Sequence, residues 1–423
     1  MYNLTRMSTD FDRMLRSYAE LTVKVGLNLQ PRQRLLIIGP VANGGCSLEA
    51  APLVRQITAA AYDAGAPIVE TLWGDEALLG ARLAHAPRGS FAEFSAWLPV
   101  ALVQHVEAGH AVLSIYANDP DQLKDYEPER VAAVQQATAR AVRPFREYIS
   151  RNQTNWGVVA AAAQAWAARV YPSLSAAEQM TALWGAIERL CRLDRPDPIA
   201  AWETHLAELA ARTDHLNAKQ YTALRYSGPG TTLTIGLPAG HVWVGGRSSS
   251  ASGIRFAPNL PTEEVFTMPH KERVDGTVRS TKPLSYGGTL IEGFSLTFAE
   301  GRVVEVSAEK GEDVLRRLVK MDGGAARLGE LALVPHNSPV AQTGVLFYNT
   351  LFDENAASHV ALGAAYKFTL RGGETMSDEQ FEGAGGNRSA THVDFMIGSP
   401  ELDVDGVRGD GGVEPVMRRG DWV

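Results

Sequence analysis

From Leu35 to about Leu216, short apolar runs alternate with longer stretches whose apolar residues recur at helical spacing. Leu35-Leu36-Ile37-Ile38-Gly39-Pro40 predicts a buried strand, and Ala50 to Ala64 predicts a helix ended by Gly65, since glycine accepts the left-handed cap at little cost. Pro67 to Trp73 predicts a second strand. A helix over Trp97 to Ala108 stops at Gly109, Ala111 to Tyr116 predicts a third strand, and Pro128 to Val142 a helix with proline in its first turn. Two more helices are expected over Ser175 to Arg192 and Ile199 to His215. Ser175 and Glu178 form a capping-box pattern, and Pro196-Asp197-Pro198 interrupts the helical spacing because proline lacks an amide donor. Alternation of this kind predicts an α/β domain with a mostly parallel sheet over residues 1–216.

Past Leu216 the texture changes to glycine-punctuated strands: Tyr221 to Tyr226, Thr231 to Gly236, His241 to Val244, Thr289 to Phe298 and Arg302 to Ser307. Helical stretches become fewer, the clear ones being Glu312 to Met321 and Glu354 to Tyr366. The second domain, residues 217–423, is therefore expected to be α+β and strand-rich, with a boundary near Asn217. The 423 residues are too many for one ordinary core, which agrees with two domains.

Composition narrows the function. A hydrophobic fraction of 45% and a charged fraction of 21% belong to a globular chain. A net charge of -8 without a basic stripe opposes nucleic-acid binding, which needs clustered cations to displace counterions. The longest apolar run, Val158 to Val170, falls short of the roughly 20 residues that span a bilayer. Charges at Asp10, Asp12 and Arg13 occupy the place of a signal peptide's apolar stretch, so a cytoplasmic protein is expected. Cys46 and Cys191 are the only cysteines, which leaves neither a disulfide framework nor a cysteine metal site. Any metal must be held by His, Asp and Glu. The turn Gly39-Pro40-Val41-Ala42-Asn43-Gly44-Gly45 lacks the glycine order that seats a pyrophosphate, and a structural turn is the better reading.

The chemistry gathers near the C-terminus. In Thr391-His392-Val393-Asp394-Phe395-Met396-Ile397, strand alternation puts His392 and Asp394 on one face, one pleat apart, where two donors can share an ion. A surface histidine beside a turn aspartate would show the same pattern. In the expected helix opened by Asp353, His359 and Tyr366 lie seven residues apart on one face, as a metal-site pair or as a hydrogen-bonded core pair. Glu263-Glu264 and Glu330 are further donors, although adjacent glutamates are usually solvated and a lone glutamate in a strand usually faces water.

Asn259 to Thr267 (Asn-Leu-Pro-Thr-Glu-Glu-Val-Phe-Thr), Val274 to Val278, Gly329-Glu330, Asp353-Glu354-Asn355 through His359 to Tyr366, and His392-Val393-Asp394 together resemble the aminopeptidase T, AmpS and PepS family of metallo-aminopeptidases. The resemblance spans almost the whole chain with its motifs in order. It implies that Glu264, Glu330, His359, His392 and Asp394 hold two divalent ions, with Glu330 the bridging carboxylate and Tyr366 beside them. It also implies a cytosolic homodimer acting on peptide substrates of varied N-terminal residue.

Peptide hydrolysis needs an activated water, a polarised carbonyl and a place for the free amine, which two zinc, cobalt or manganese ions would supply. By analogy with dinuclear aminopeptidases of another fold, Glu263 is the expected general base, although strand alternation would turn it away from Glu264. Tyr366 is the expected oxyanion donor. Two rivals stand beside this reading. One is a mononuclear iron ring-cleaving dioxygenase of the same fold family, which would use two His and one Asp and leave Glu264 and Glu330 unexplained. The other is a partner-binding protein with a structural metal centre, which would need a closed site of four protein ligands.

Overall fold

The computed structural model describes residues 2–41, 44–286 and 289–423, with backbone alone for 2–9. Ala42 and Asn43 of the glycine turn lie outside the described residues. The chain divides into two compact units, residues 1–206 with 247–261, and residues 207–246 with 262–423. The helix Pro198–Lys219 runs through both the changeover at Leu206 and the expected boundary near Asn217.

In the first unit four parallel strands follow the order Val69–Thr71, Leu35–Ile38, Ala111–Tyr116 and Trp156–Ala160. Parallel strands need crossovers, and helices such as Ala51–Asp63 and Trp97–Glu107 provide them. Ala111–Tyr116 is almost wholly buried, which is why it appears in the sequence as an unbroken apolar run. Trp156–Ala160 and the helix Gln164–Val170 share the alanine-rich stretch that composition alone left unassigned.

The second unit contains two main antiparallel sheets and a two-stranded ribbon of Leu284–Tyr286 with Thr289–Ile291. The larger has eight strands, in the order Arg302–Ser307, Ser295–Ala299, Val274–Arg279, Thr231–Gly236, Ala223–Gly228, Asp403–Val407, Val413–Arg418 and Asp421–Trp422. The smaller has four, which we label β1 (Val265–Thr267), β2 (Leu328–Leu333), β3 (His359–Gly363) and β4 (His392–Met396), adjacent in that order. One apolar cluster joins them: Leu331, Val360 and Phe395 of the smaller sheet share a core with Leu233, Val274 and Leu296 of the larger. Truncating one such leucine to alanine costs about 2–5 kcal/mol.

Three sequence expectations fail in this unit. Thr289 to Phe298 forms two strands, Thr289–Ile291 and Ser295–Ala299, which belong to different sheets. His241 to Val244 makes only isolated bridges, to Leu370 and Phe266, rather than a strand. No helix covers Glu354 to Tyr366. A short helix, Thr350–Asp353, is capped by Asn349, whose side chain accepts from the Leu351 amide, and His359–Gly363 is strand. Asp353 is not the cap; its two oxygens accept from the Phe347 and Asn349 amides at 2.8 and 3.0 Å. Alanine-rich sequence favours helix locally, but pairing on both edges and burial of all five residues of β3 override that preference.

Candidate metal centre

Alternation along the four short strands separates core from chemistry. Val265, Leu331, Leu333, Val360, Leu362 and Phe395 face the apolar cluster. The intervening residues, Glu330 and Ala332, His359 and Ala361, His392 and Asp394, therefore share the opposite face. A bulge in β2 sets this register: Leu328 pairs with Leu362 and Glu330 with Ala361, which leaves Gly329 as the extra residue. A side chain at Gly329 would meet the Gly363 and Ala364 carbonyls at 2.3 Å, so only glycine fits. Without the bulge Leu328 and Leu331, an odd number apart, would face opposite sides, whereas both lie in the core.

Glu330, Ala361 and Asp394 form one lateral row across β2, β3 and β4. Glu264, Glu330 and His359 bring their ligand atoms within 4.8 Å of one another, and so do Glu330, His392 and Asp394. Glu330 belongs to both groups and divides its oxygens between them, Oε1 at 3.7 Å from His359 Nε2 and Oε2 at 3.6 Å from His392 Nε2. Glu264 Oε2 lies 3.2 Å from His359 Nε2, and Asp394 Oδ1 3.4 Å from His392 Nε2. The two rings are oriented alike: His359 Nδ1 donates to the Ala357 carbonyl at 3.1 Å and His392 Nδ1 to the Ala364 carbonyl at 2.7 Å. Because a carbonyl can only accept, each Nδ1 carries a hydrogen, and Nε2 would be the lone-pair nitrogen if the ring were neutral.

A neutral Nε2 facing a carboxylate oxygen sets acceptor against acceptor. Glu264 Oε2 and Asp394 Oδ1 are buried without a hydrogen bond, so a proton or a cation must lie between each oxygen and its histidine. Burial opposes charge on His359, yet Glu264 and Glu330 outweigh it and raise its pKa well above the usual value. His392 is likewise pushed up to about 9, burial being overcome by Asp394. Burial pushes Asp394 up, but His392 more than offsets this and lowers it, while burial raises Glu330. A site that draws protons onto its imidazoles from several buried carboxylates suits divalent cations, whose binding would displace those protons. The nitrogen and oxygen donor set therefore fits a metal.

Unlike the usual solvated glutamate, Glu263, Glu264 and Glu330 are all buried. Glu263 lies outside both ligand groups, and its backbone amide donates to Asn355 Oδ1, whose own amide holds the Leu351 carbonyl. Tyr366 does not share a helical face with His359; it follows β3 in a loop and reaches the centre from there. Its ring stacks on Phe368 with centroids 5.2 Å apart and tilts against His392 at 5.0 Å. The residue is 37% exposed as a whole, while its phenol end lies among Glu330, Asp394 and Glu354. Burial first, and then those carboxylates, hold the phenol well above its ordinary pKa, so it is a hydrogen donor at neutral pH.

Glu354 is the residue that sequence reasoning passed over. Burial raises its pKa well above the carboxylate range, and Glu264 and Asp394 add to the effect. Its place in the Asp353-Glu354-Asn355 run was the available signal, hidden by reading that run as the start of a helix.

Known proteins are similar to this chain over nearly its whole length. The family described as thermophilic metalloprotease (M29) matches residues 11–422. Aminopeptidase 2 of Geobacillus stearothermophilus is 49% identical over 413 residues, covering 98% of each chain. Aminopeptidase T of Thermus thermophilus is 47% identical over 413 residues, 98% of this chain and 99% of its own. The solved structure of wild-type AmpT from Thermus thermophilus superposes with a TM-score of 0.91 at 46% identity, covering 98% of this chain and 100% of that one. These likenesses support a peptidase and give no support to the ring-cleaving dioxygenase. The chain belongs to the M29 family of metalloproteases, as a metallo-aminopeptidase of the aminopeptidase T, AmpS and PepS group.

Proposed function

We propose that the centre removes N-terminal residues from peptides with two divalent ions, one held by Glu264, Glu330 and His359, the other by Glu330, His392 and Asp394. The division of the Glu330 oxygens between the two histidines carries this reading, because a carboxylate that faces two imidazoles can bridge two cations. Zinc, cobalt and manganese all accept such a donor set. When bound, the ions would lower the pKa of a water toward neutrality and polarise the scissile carbonyl.

The side chains do the rest. His359 and His392 are held in the ligating tautomer by the Ala357 and Ala364 carbonyls, so the donor positions are fixed before substrate arrives. Tyr366 donates its phenol to the oxygen that gains charge as the carbonyl becomes tetrahedral. Glu263, anchored through Asn355, takes the proton of the attacking water and returns it to the leaving amine. The carboxylate face, with Glu354 included, attracts the substrate's ammonium group. The chemistry belongs to the domain of residues 217–423, in a cytoplasmic homodimer. Among the described residues, no helix is long and apolar enough to cross a membrane.

Protein reconstituted with zinc, cobalt or manganese in turn should shorten free-amine peptides one residue at a time and leave their N-acetylated forms intact. Equal cleavage of the acetylated peptides would contradict an aminopeptidase.

A further inference from the structure

A cavity of about 330 Å³ opens beside the centre, with His392 and Asp394 on one wall. Lys282, Tyr286, Tyr348 and Asp353 are among the residues that complete it. Its size suits one or two amino-acid residues rather than a long peptide. Within the second unit it therefore adjoins the ion assigned to His392 and Asp394.

Its walls carry Lys282 and His392 together with the carboxylates of Asp353 and Asp394. Asp353 already satisfies its oxygens with the Phe347 and Asn349 amides at 2.8 and 3.0 Å. Lys282 is near enough to influence Asp353 electrostatically, yet it forms no hydrogen bond or ion pair among the described residues. It is half-buried, on the segment leading into the strand Leu284–Tyr286. Because amides already engage the Asp353 oxygens, a half-buried ammonium with no hydrogen bond of its own, facing a cavity beside a catalytic centre, can receive an anion from the substrate. It would repel the substrate's own ammonium group, which the carboxylate cluster attracts. The cavity thus takes the part of the substrate beyond the scissile bond.

We propose that Lys282 is a specificity-determining residue that receives a carboxylate of the substrate on the leaving-group side of the scissile bond. This rests on the peptidase reading above. Two sources could bring that carboxylate, the free C-terminus of a dipeptide or an acidic side chain in the second residue. A dipeptide with a free C-terminus would place its carboxylate one residue past the bond that breaks, within the reach of so small a cavity.

The test compares four substrates with metal-loaded enzyme: Leu-Leu, Leu-Leu amide, Leu-Glu amide and Leu-Gln amide. For the C-terminal source, the ratio of kcat/KM for Leu-Leu over Leu-Leu amide should fall about tenfold in Lys282→Met, mainly through KM, and recover in Lys282→Arg. For the side-chain source, the ratio of Leu-Glu amide over Leu-Gln amide should fall instead, again with rescue by arginine. If neither ratio moves in Lys282→Met, or if Lys282→Arg fails to restore the one that does, the assignment is overturned. Failure of the unaltered enzyme to cleave any of the four would overturn the peptidase reading itself, and this inference with it.

Discussion

Glu330 and Asp394 occupy one lateral row of the four-stranded sheet, each the direct partner of Ala361 on the strand between them. Side chains in one row point the same way, so a methyl group is all that separates two carboxylates at the middle of the site. The smallness of Ala361 leaves space above the sheet for cations. Ala361→Val should therefore fold, at a cost of about 1–3 kcal/mol for overpacking, but bind less metal. Elemental analysis alongside circular dichroism checks this; full metal content in the valine variant would mean that the ions do not lie over this row.

Tyr366→Phe removes the phenol and keeps the ring that stacks on Phe368. The expected loss is about a hundredfold in kcat with KM little changed, the size seen when one oxyanion donor is removed. Steady-state kinetics decide it. A rise in KM at constant kcat would make Tyr366 a binding residue.

Glu263→Gln should lower turnover by orders of magnitude with metal content intact, since Glu263 lies outside both ligand groups. Its burial makes the amide a fair isostere. Unchanged turnover would remove Glu263 from the mechanism; lost metal would make it part of the ligand set.

The metal-free protein should lose stability as pH rises. His392 has a folded pKa of about 9 against 6.5 for the free group, so its contribution is complete below pH 6.5 and vanishes as pH passes about 9. Glu354, also raised, acts in the same direction, because its buried carboxyl resists deprotonation. The melting temperature of chelator-treated protein should fall between pH 6.5 and 9, and metal should flatten that slope. A flat profile in the metal-free protein would show that His392 does not hold the extra proton.

Legibility in the sequence followed how each segment is buried. His392–Met396 has partly exposed positions beside core ones, so period-two alternation placed His392 and Asp394 correctly. Strand His359–Gly363 is buried throughout, which erases alternation, and its alanines then resembled a helix. Glu330 could be assigned to a strand but not to its face, because the Gly329 bulge changes the register and only pairing with β3 reveals it. Convergence of Glu264, Glu330 and His359 from segments far apart in sequence has no local signature. Family resemblance supplied it, and resemblance did not single out Glu354 or Lys282.

The central claim is a pair of cations bridged by Glu330, and metal stoichiometry tests it most directly. Protein reconstituted with zinc and desalted should contain two ions per chain, and Glu330→Gln should lose affinity for both together. One ion per chain, or a Glu330→Gln variant that retains both with unaltered affinity, would contradict the account.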